Sequence, residues 1–190
     1  MKIGILAVQG DFEAHGKMLE RLGVVPVFVR APADLTGLNG LILPGGESTT
    51  HLKVLTEEGL LDAIKKFAKD GGAFFGTCAG AILLAREVHG PSQVSLGLID
   101  MVVERNAYGR QLASEVRFGG TKLKHEPLEM VFIRAPIIEQ VGPGVAVLAE
   151  ESGRPVLVEQ GRSLAATFHP ELTADTTLHE YFLKKLRNGG

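Results

Sequence analysis

A second cysteine is missing from this sequence. Cys78 is the single thiol in 190 residues, so an internal disulfide and a cysteine-built zinc site are both excluded, and Cys78 is either an inert core atom or a reactive one. A surplus of either charge is missing too. Lys and Arg number 20 against 22 Asp and Glu, for a net charge of -2, and no run of basic residues occurs. That balance offers no general attraction to nucleic acid or to an anionic membrane. The opening apolar run turns polar at Gln9 and Asp11, too short for a membrane span or a secretory signal. The expected location is the cytoplasm, where thiols stay reduced. Internal repeats, linkers and low-complexity tracts are likewise absent, which argues for one domain across residues 1–190. At that length folding hides roughly 70% of the unfolded chain's surface, enough for a core without staples.

What is present in the first half is alternation. Residues 2–8 are almost wholly apolar, as in a strand buried on both faces, and residues 12–22 repeat apolar side chains at helical spacing until Gly23. The same reading gives strands at residues 24–30, 40–43 and 73–76, and helices at residues 60–69 and 79–85. Strands separated by helices predict an α/β fold with a parallel sheet covered on both faces. After Pro91 come strand-like segments at residues 101–104, 129–134, 145–150, 155–159 and 163–168, joined by Gly and Pro turns. They extend the main sheet or form antiparallel strands beside it. An amphipathic helix at residues 176–186 closes the chain.

Three stretches carry chemistry. Cys78 lies in Gly76-Thr77-Cys78-Ala79-Gly80, between an apolar strand and a helix. This spacing is the cysteine form of a nucleophile elbow: flanking glycines permit a sharp turn that exposes the reactive atom, and a helix amino terminus favours the thiolate. The second stretch is His169-Pro170-Glu171. In an extended segment residues two apart point the same way, so Glu171 can hold one imidazole nitrogen of His169 while the other moves protons. The third is Leu43-Pro44-Gly45-Gly46-Glu47-Ser48. Adjacent glycines let backbone amides aim into a cavity, so Gly45 and Gly46, with Ala79 after the nucleophile, are candidates for an oxyanion hole. The lysine of a P-loop is absent there, and Glu47 would repel phosphate. The other histidines, His15, His51, His89, His125 and His179, are expected at surface or half-buried positions. No pair of them has metal-ligand spacing, and no metal or cofactor is expected.

All three stretches fall at carboxyl ends of predicted strands, where open α/β sheets place their sites. In their order they resemble the motifs of class I glutamine amidotransferases. Ala7-Val8-Gln9-Gly10-Asp11-Phe12-Glu13-Ala14-His15 and Glu104-Arg105-Asn106-Ala107-Tyr108-Gly109-Arg110 narrow the resemblance to the glutaminase subunits of pyridoxal 5'-phosphate synthases, over essentially the whole chain. The resemblance implies a flavodoxin-like three-layer sandwich with a mostly parallel central sheet, and a Cys78, His169 and Glu171 triad. It further implies L-glutamine as substrate, held by Gly46, Glu47, Ser48, Arg105, Ile133 and Arg134, and a separate (β/α)8-barrel synthase subunit that receives the ammonia. Arg suits the glutamine carboxylate, to which it presents a planar fork. Residues 9–15 are expected to join the docking surface, with the glycine turn aimed only on docking. A glutaminase for histidine, anthranilate or nucleotide synthesis, a cysteine hydrolase of related fold and a noncatalytic binding subunit stay open as alternatives.

Overall fold

The computed structural model describes residues 1–106 and 114–187. Its first strand, β1 (Ile3–Leu6), is buried throughout, and α1 (Phe12–Arg21) follows it. Next come β2 (Pro26–Val29), β3 (Gly40–Leu43), α2 (Ser48–Glu57), α3 (Leu60–Lys69), β4 (Ala73–Thr77) and α4 (Ala79–Leu84). The remaining elements are β5 (Ala85–His89), β6 (Ile99–Glu104), β7 (Glu115–Thr121), β8 (Lys124–Phe132), β9 (Ile137–Val141), β10 (Ala146–Glu151), β11 (Arg154–Gln160), β12 (Ser163–Ala166) and α5 (Thr177–Arg187).

Among the described residues, nine strands form one sheet in the order β2-β1-β3-β4-β12-β11-β10-β7-β8. From β2 to β12 all neighbours are parallel, the strand order of a flavodoxin-like sheet, and the remaining pairings are antiparallel. Because side chains alternate along a strand, each buried parallel strand feeds both faces. Leu41, Leu43 and Phe74 pack with Leu55, Leu60, Ile64 and Leu83 of α2, α3 and α4. Ile42 and Phe75 pack on the other face with Leu19 of α1 and Leu178 and Phe182 of α5. Three layers result. The first of these cores also takes in Val88, Met101, Val103 and Ile138 from a small separate sheet, β5-β6-β9.

The parallel strands and the helices α1, α3 and α5 stand close to their expected positions. The expected helix at residues 79–85 stops at Leu84, and Ala85 turns extended to begin β5. Neither β5, β7 nor β9 was expected. Strand β5 carries a register shift between Ala85 and Glu87, which breaks the alternation that marks a strand. Strand β7 has exposed apolar side chains at Val116 and Phe118 and two glycines, so its pattern is inverted. Of the later segments, those in β10, β11 and β12 extend the main sheet, whereas β6 belongs to the small one.

Chain order reverses at β1, with β2 added on one side and β3 on the other. Such a switch point opens a crevice beyond the carboxyl ends of the strands. The peptides after β1, β3, β4 and β12 border it, and the elbow between β4 and α4 is packed tightly there. A Cβ on Gly80 would lie 1.9 Å from the carbonyl oxygen of Leu43, and one on Gly76 would lie 2.5 Å from the carbonyl oxygen of Gly80. Gly80→Ala should therefore cost about 3 kcal/mol of stability, whereas Gly120→Ala, whose Cβ meets no neighbour within 4 Å, should stay within about 0.5 kcal/mol of wild type. Urea unfolding midpoints measure both, and equal values for the two variants would contradict this packing.

Candidate active site

Strand β4 delivers Cys78 into the crevice on a turn that few residues tolerate. Its φ is 49° and ψ −104°, a positive-φ conformation outside the left-handed helical region that costs of order 1–3 kcal/mol and persists only when surroundings enforce it. They do so by backbone bonds: Cys78 N–H donates to Ala166 O at 2.9 Å, and Cys78 O accepts from Ile82 N at 3.2 Å. Cys78 is 6% exposed and lies on the wall of a cavity with Gln9, Gly46, Glu47, Ser48, Ile82, Arg105, Asn106, Arg134 and Ala135.

Strand β12 delivers the imidazole. His169 N–H donates to Val131 O of β8 at 2.8 Å, and Pro170–Leu172 then form a single 3-10 turn. Here the structure corrects the expected local geometry: Pro170 opens a short helix, as a first-turn proline can, and His169 and Glu171 are paired by that turn and not by an extended strand. The pairing itself holds, with His169 Nδ1 2.7 Å from Glu171 Oε1. Burial opposes charge on His169, but the neighbouring Cys78 sulfur and the Glu171 carboxylate outweigh it, and the pKa is pushed up to about 10. Burial also pushes the Glu171 carboxyl up, against its bond to His169. Asp11 Oδ2 stands 3.5 Å from the same Nδ1. Asp11, His169 and Glu171 have ligand atoms within 4.8 Å of one another, so they could hold a metal ion only by engaging the imidazole that faces Cys78.

The glycine turn after β3 fits against this pair. A Cβ on Gly45 would lie 2.2 Å from His169 Cε1, and Gly46 has a φ of 144°. Gly45 O accepts from Asp11 N at 3.3 Å. In a trans peptide carbonyl and amide point in opposite directions, so the Gly46 N–H is directed away from Asp11. Gly46 lines the cavity beside Cys78. Ala79, as the first residue of α4, has an N–H with no acceptor inside its helix. These are the amides an oxyanion could use. Gln9 clamps the turn, its Oε1 accepting from Glu47 N at 3.1 Å.

The expected substrate residues divide. Gly46, Glu47, Ser48, Arg105 and Arg134 line the cavity, whereas Ile133 presents its carbonyl oxygen, 3.8 Å from Cys78 Sγ. Arg134 is itself held at a φ of 45°. Glu47 is already engaged: its carboxylate caps α2, accepting from Thr49 N at 3.2 Å and Thr50 N at 2.7 Å. Partial burial opposes its ionisation, but the Thr49 and Thr50 bonds lower its pKa to about 2. Sequence reasoning missed Gln93, whose Oε1 accepts from Ser48 Oγ at 3.0 Å and from Arg105. Nothing in its loop-like stretch marked it. Residues 107–110, part of the stretch that narrowed the resemblance, lie outside the described residues.

Three histidines are not where expected. His15, His51 and His179 are fully buried, and His51 Nε2 bonds Gln9 O at 2.8 Å. His15 and His179 pair at 2.9 Å behind Glu171. His89 lies between Glu87 and Glu139 at the surface, as expected.

On an open α/β sheet, a strained thiol beside a carboxylate-braced imidazole is the equipment of enzymes that attack acyl carbons. The chain belongs to the SNO glutamine amidotransferase family, whose model matches residues 5–188. A protein of Koribacter versatilis described as "Pyridoxal 5'-phosphate synthase subunit PdxT" is 56% identical over all of this chain and 97% of its own length. One of the same description from Solibacter usitatus is 54% identical, with 97% of this chain and 99% of its own covered. A solved structure described as "Crystal structure of glutamine amidotransferase" superposes with a TM-score of 0.92 at 48% identity, covering 98% of this chain and 100% of that one. Another, "Structure of PurLQS from Thermotoga maritima", gives a TM-score of 0.71 at 17% identity over 98% of this chain and 100% of that one, a likeness of fold alone.

Burial lowers the pKa of His179 from 6.5 to about 4, and burial, then the charges of His179 and His169, lower His15 well below its ordinary value. Once unfolded, both take up protons at a higher pH than in the folded chain, so stability is full above about pH 6.5 and falls with acid toward about pH 4. His179 alone should remove about 2 kcal/mol between pH 7 and pH 5. In urea titrations at the two pH values, His179→Phe should lessen that loss. An equal loss in wild type and variant would contradict the assignment.

Proposed function

We propose that this chain, acting as one glutaminase domain over residues 1–190, hydrolyses L-glutamine to glutamate and ammonia for pyridoxal 5'-phosphate synthesis. The observation that carries the reading is the placement of Cys78 on a strained elbow at the wall of a cavity, beside His169, whose far nitrogen is held by Glu171. Arg105 and Arg134 line the same cavity, a disposition suited to the carboxylate of a free amino acid.

In the proposed reaction the Cys78 thiolate attacks the side-chain amide carbon. Negative charge moves to the amide oxygen, where the N–H groups of Ala79 and of the Gly45-Gly46 turn receive it. The His169 imidazolium gives its proton to the departing nitrogen, ammonia leaves, and a γ-glutamyl thioester remains. His169, now neutral, takes a proton from water as that water attacks the thioester, and collapse of the adduct expels the sulfur, which releases glutamate and restores the thiolate beside the imidazolium. Glu171 holds the imidazole in orientation throughout. Gly46, Ser48, Arg105, Arg134 and the Ile133 carbonyl surround the amino-acid end. Glu47 contributes mainly by capping α2 and fixing the turn.

Free ammonia is protonated or lost in water, so it is released for a docked acceptor. The partner is a synthase subunit built as a (β/α)8 barrel, which joins the ammonia to sugar phosphates and makes pyridoxal 5'-phosphate as a product. Of the expected docking residues 9–15, His15 is buried; the others belong to the docking face, which Asp11 joins to the Gly45 carbonyl and the His169 ring. The reduced thiol suits the cytoplasm, and among the described residues no helix is long and apolar enough to cross a membrane.

Cys78→Ala should lower ammonia release from glutamine by about a thousandfold or more. A cysteine hydrolase of related fold would instead spare glutamine and cleave peptides or esters. The isolated chain should turn over slowly and accelerate when the synthase is titrated in, and Asp11→Ala should weaken that association. Full turnover by the chain alone, or unaltered association of the variant, counts against the docking assignment.

A further inference from the structure

Behind the triad lies a hydrogen-bonded histidine pair that the proposed chemistry does not use. His15 of α1 and His179 of α5 come from opposite ends of the chain and are wholly buried. His15 Nδ1 is 2.9 Å from His179 Nε2. The other nitrogen, His15 Nε2, is 3.1 Å from Thr77 Oγ1 and 3.5 Å from Glu171 Oε2. That oxygen is the one Glu171 does not use to hold His169, and it is buried with no hydrogen bond of its own. His179 Nδ1 is likewise buried without a partner.

These contacts favour one tautomer of each ring. Buried this deeply, both rings are neutral, and each carries one N–H. With its proton on Nδ1, His15 would turn a lone pair toward the carboxylate, and His179, accepting at Nε2, would bury a bare N–H at Nδ1. Orphaned buried N–H groups are rarer than under-satisfied acceptors. With the proton on Nε2, the His15 N–H lies between Thr77 Oγ1 and Glu171 Oε2, His179 donates to His15, and only a lone pair is left bare. The pair then forms a line of dipoles with its positive end toward Glu171.

We propose that His15, fixed in its Nε2–H form by His179, is a positioning residue that keeps Glu171 ionised and aimed at His169. The proposal rests on the glutaminase reading above. A buried carboxylate without donors takes up a proton, and a protonated Glu171 no longer stabilises imidazolium. The other groups facing Glu171 do not replace this donor. Asp11 is a second carboxylate that opposes its charge, the backbone N–H of Glu171 favours ionisation less than burial opposes it, and His169 engages Oε1, which leaves Oε2 without a hydrogen bond. At 3.5 Å the contact is an attraction between charge and dipole, and such contacts tighten into hydrogen bonds when substrate binds.

The test measures ammonia release from glutamine against pH in the assembled complex with the synthase, for wild type, His15→Leu and His15→Gln. His15→Leu should lower kcat about tenfold near neutral pH with KM nearly unchanged, and move the acid limb of kcat/KM up by about one pH unit. His15→Gln, which regains an N–H donor, should restore most of both. An unmoved acid limb in folded His15→Leu, or no recovery in His15→Gln, overturns the proposal. Should the leucine variant not fold, nitrogen-15 correlation spectra of the wild-type imidazoles still decide, since a proton on His15 Nδ1 would overturn it. Absence of any glutamine hydrolysis by the wild-type complex would instead defeat the glutaminase reading, leaving the tautomer measurement in force.

Discussion

A carboxylate removed from water must find either a donor or a proton, and Glu171 is buried where the helical layer meets the ends of the parallel strands. Its bond to His169 Nδ1 at 2.7 Å answers that demand on one oxygen and fixes the imidazole on the other side. Charge on His169 is favoured in turn by Glu171 and Cys78. Such a coupled set is costly to bury if any member is left unsatisfied. The surrounding structure can be understood as what holds it: Val131 of β8 bonds the backbone of His169, and Ala166 of β12 bonds that of Cys78. The antiparallel extension of the sheet thus braces the imidazole from the far side of the parallel block.

Close approach of backbones is the second constraint. Gly45 leaves room for the His169 ring, and Gly80 leaves room for the Leu43 carbonyl. Side chains at either place would push β3, β4 and β12 apart at the end where their residues must meet. The glycines therefore act through space they leave open, and that space joins three strand ends into one site.

Much of this was legible in the sequence where the signal is local. The Gly76-Thr77-Cys78-Ala79-Gly80 elbow shows itself by spacing, and the parallel strands by unbroken apolar runs such as Gly40–Leu43. What was illegible depends on distant partners. His15 and His179 meet across 164 positions, so each alone looked like a polar residue on an amphipathic helix. Helix α2 was hidden because its threonines and charged residues give it little apolar periodicity, and its start depends on the Glu47 cap. Strand β5 was lost to its register shift. The resemblance makes Glu47 a substrate residue, whereas its capping of α2 is a bond that only the three-dimensional structure reveals.

The solitary sulfur has an experimental consequence. Because no other thiol exists in the chain, the mass added by any sulfhydryl-specific alkylating reagent counts occupied and open reaction centres directly, with no background to subtract. Protection from such a reagent by a bound molecule or an associated subunit would map access to one known atom, which makes the native polypeptide its own reporter without an engineered label.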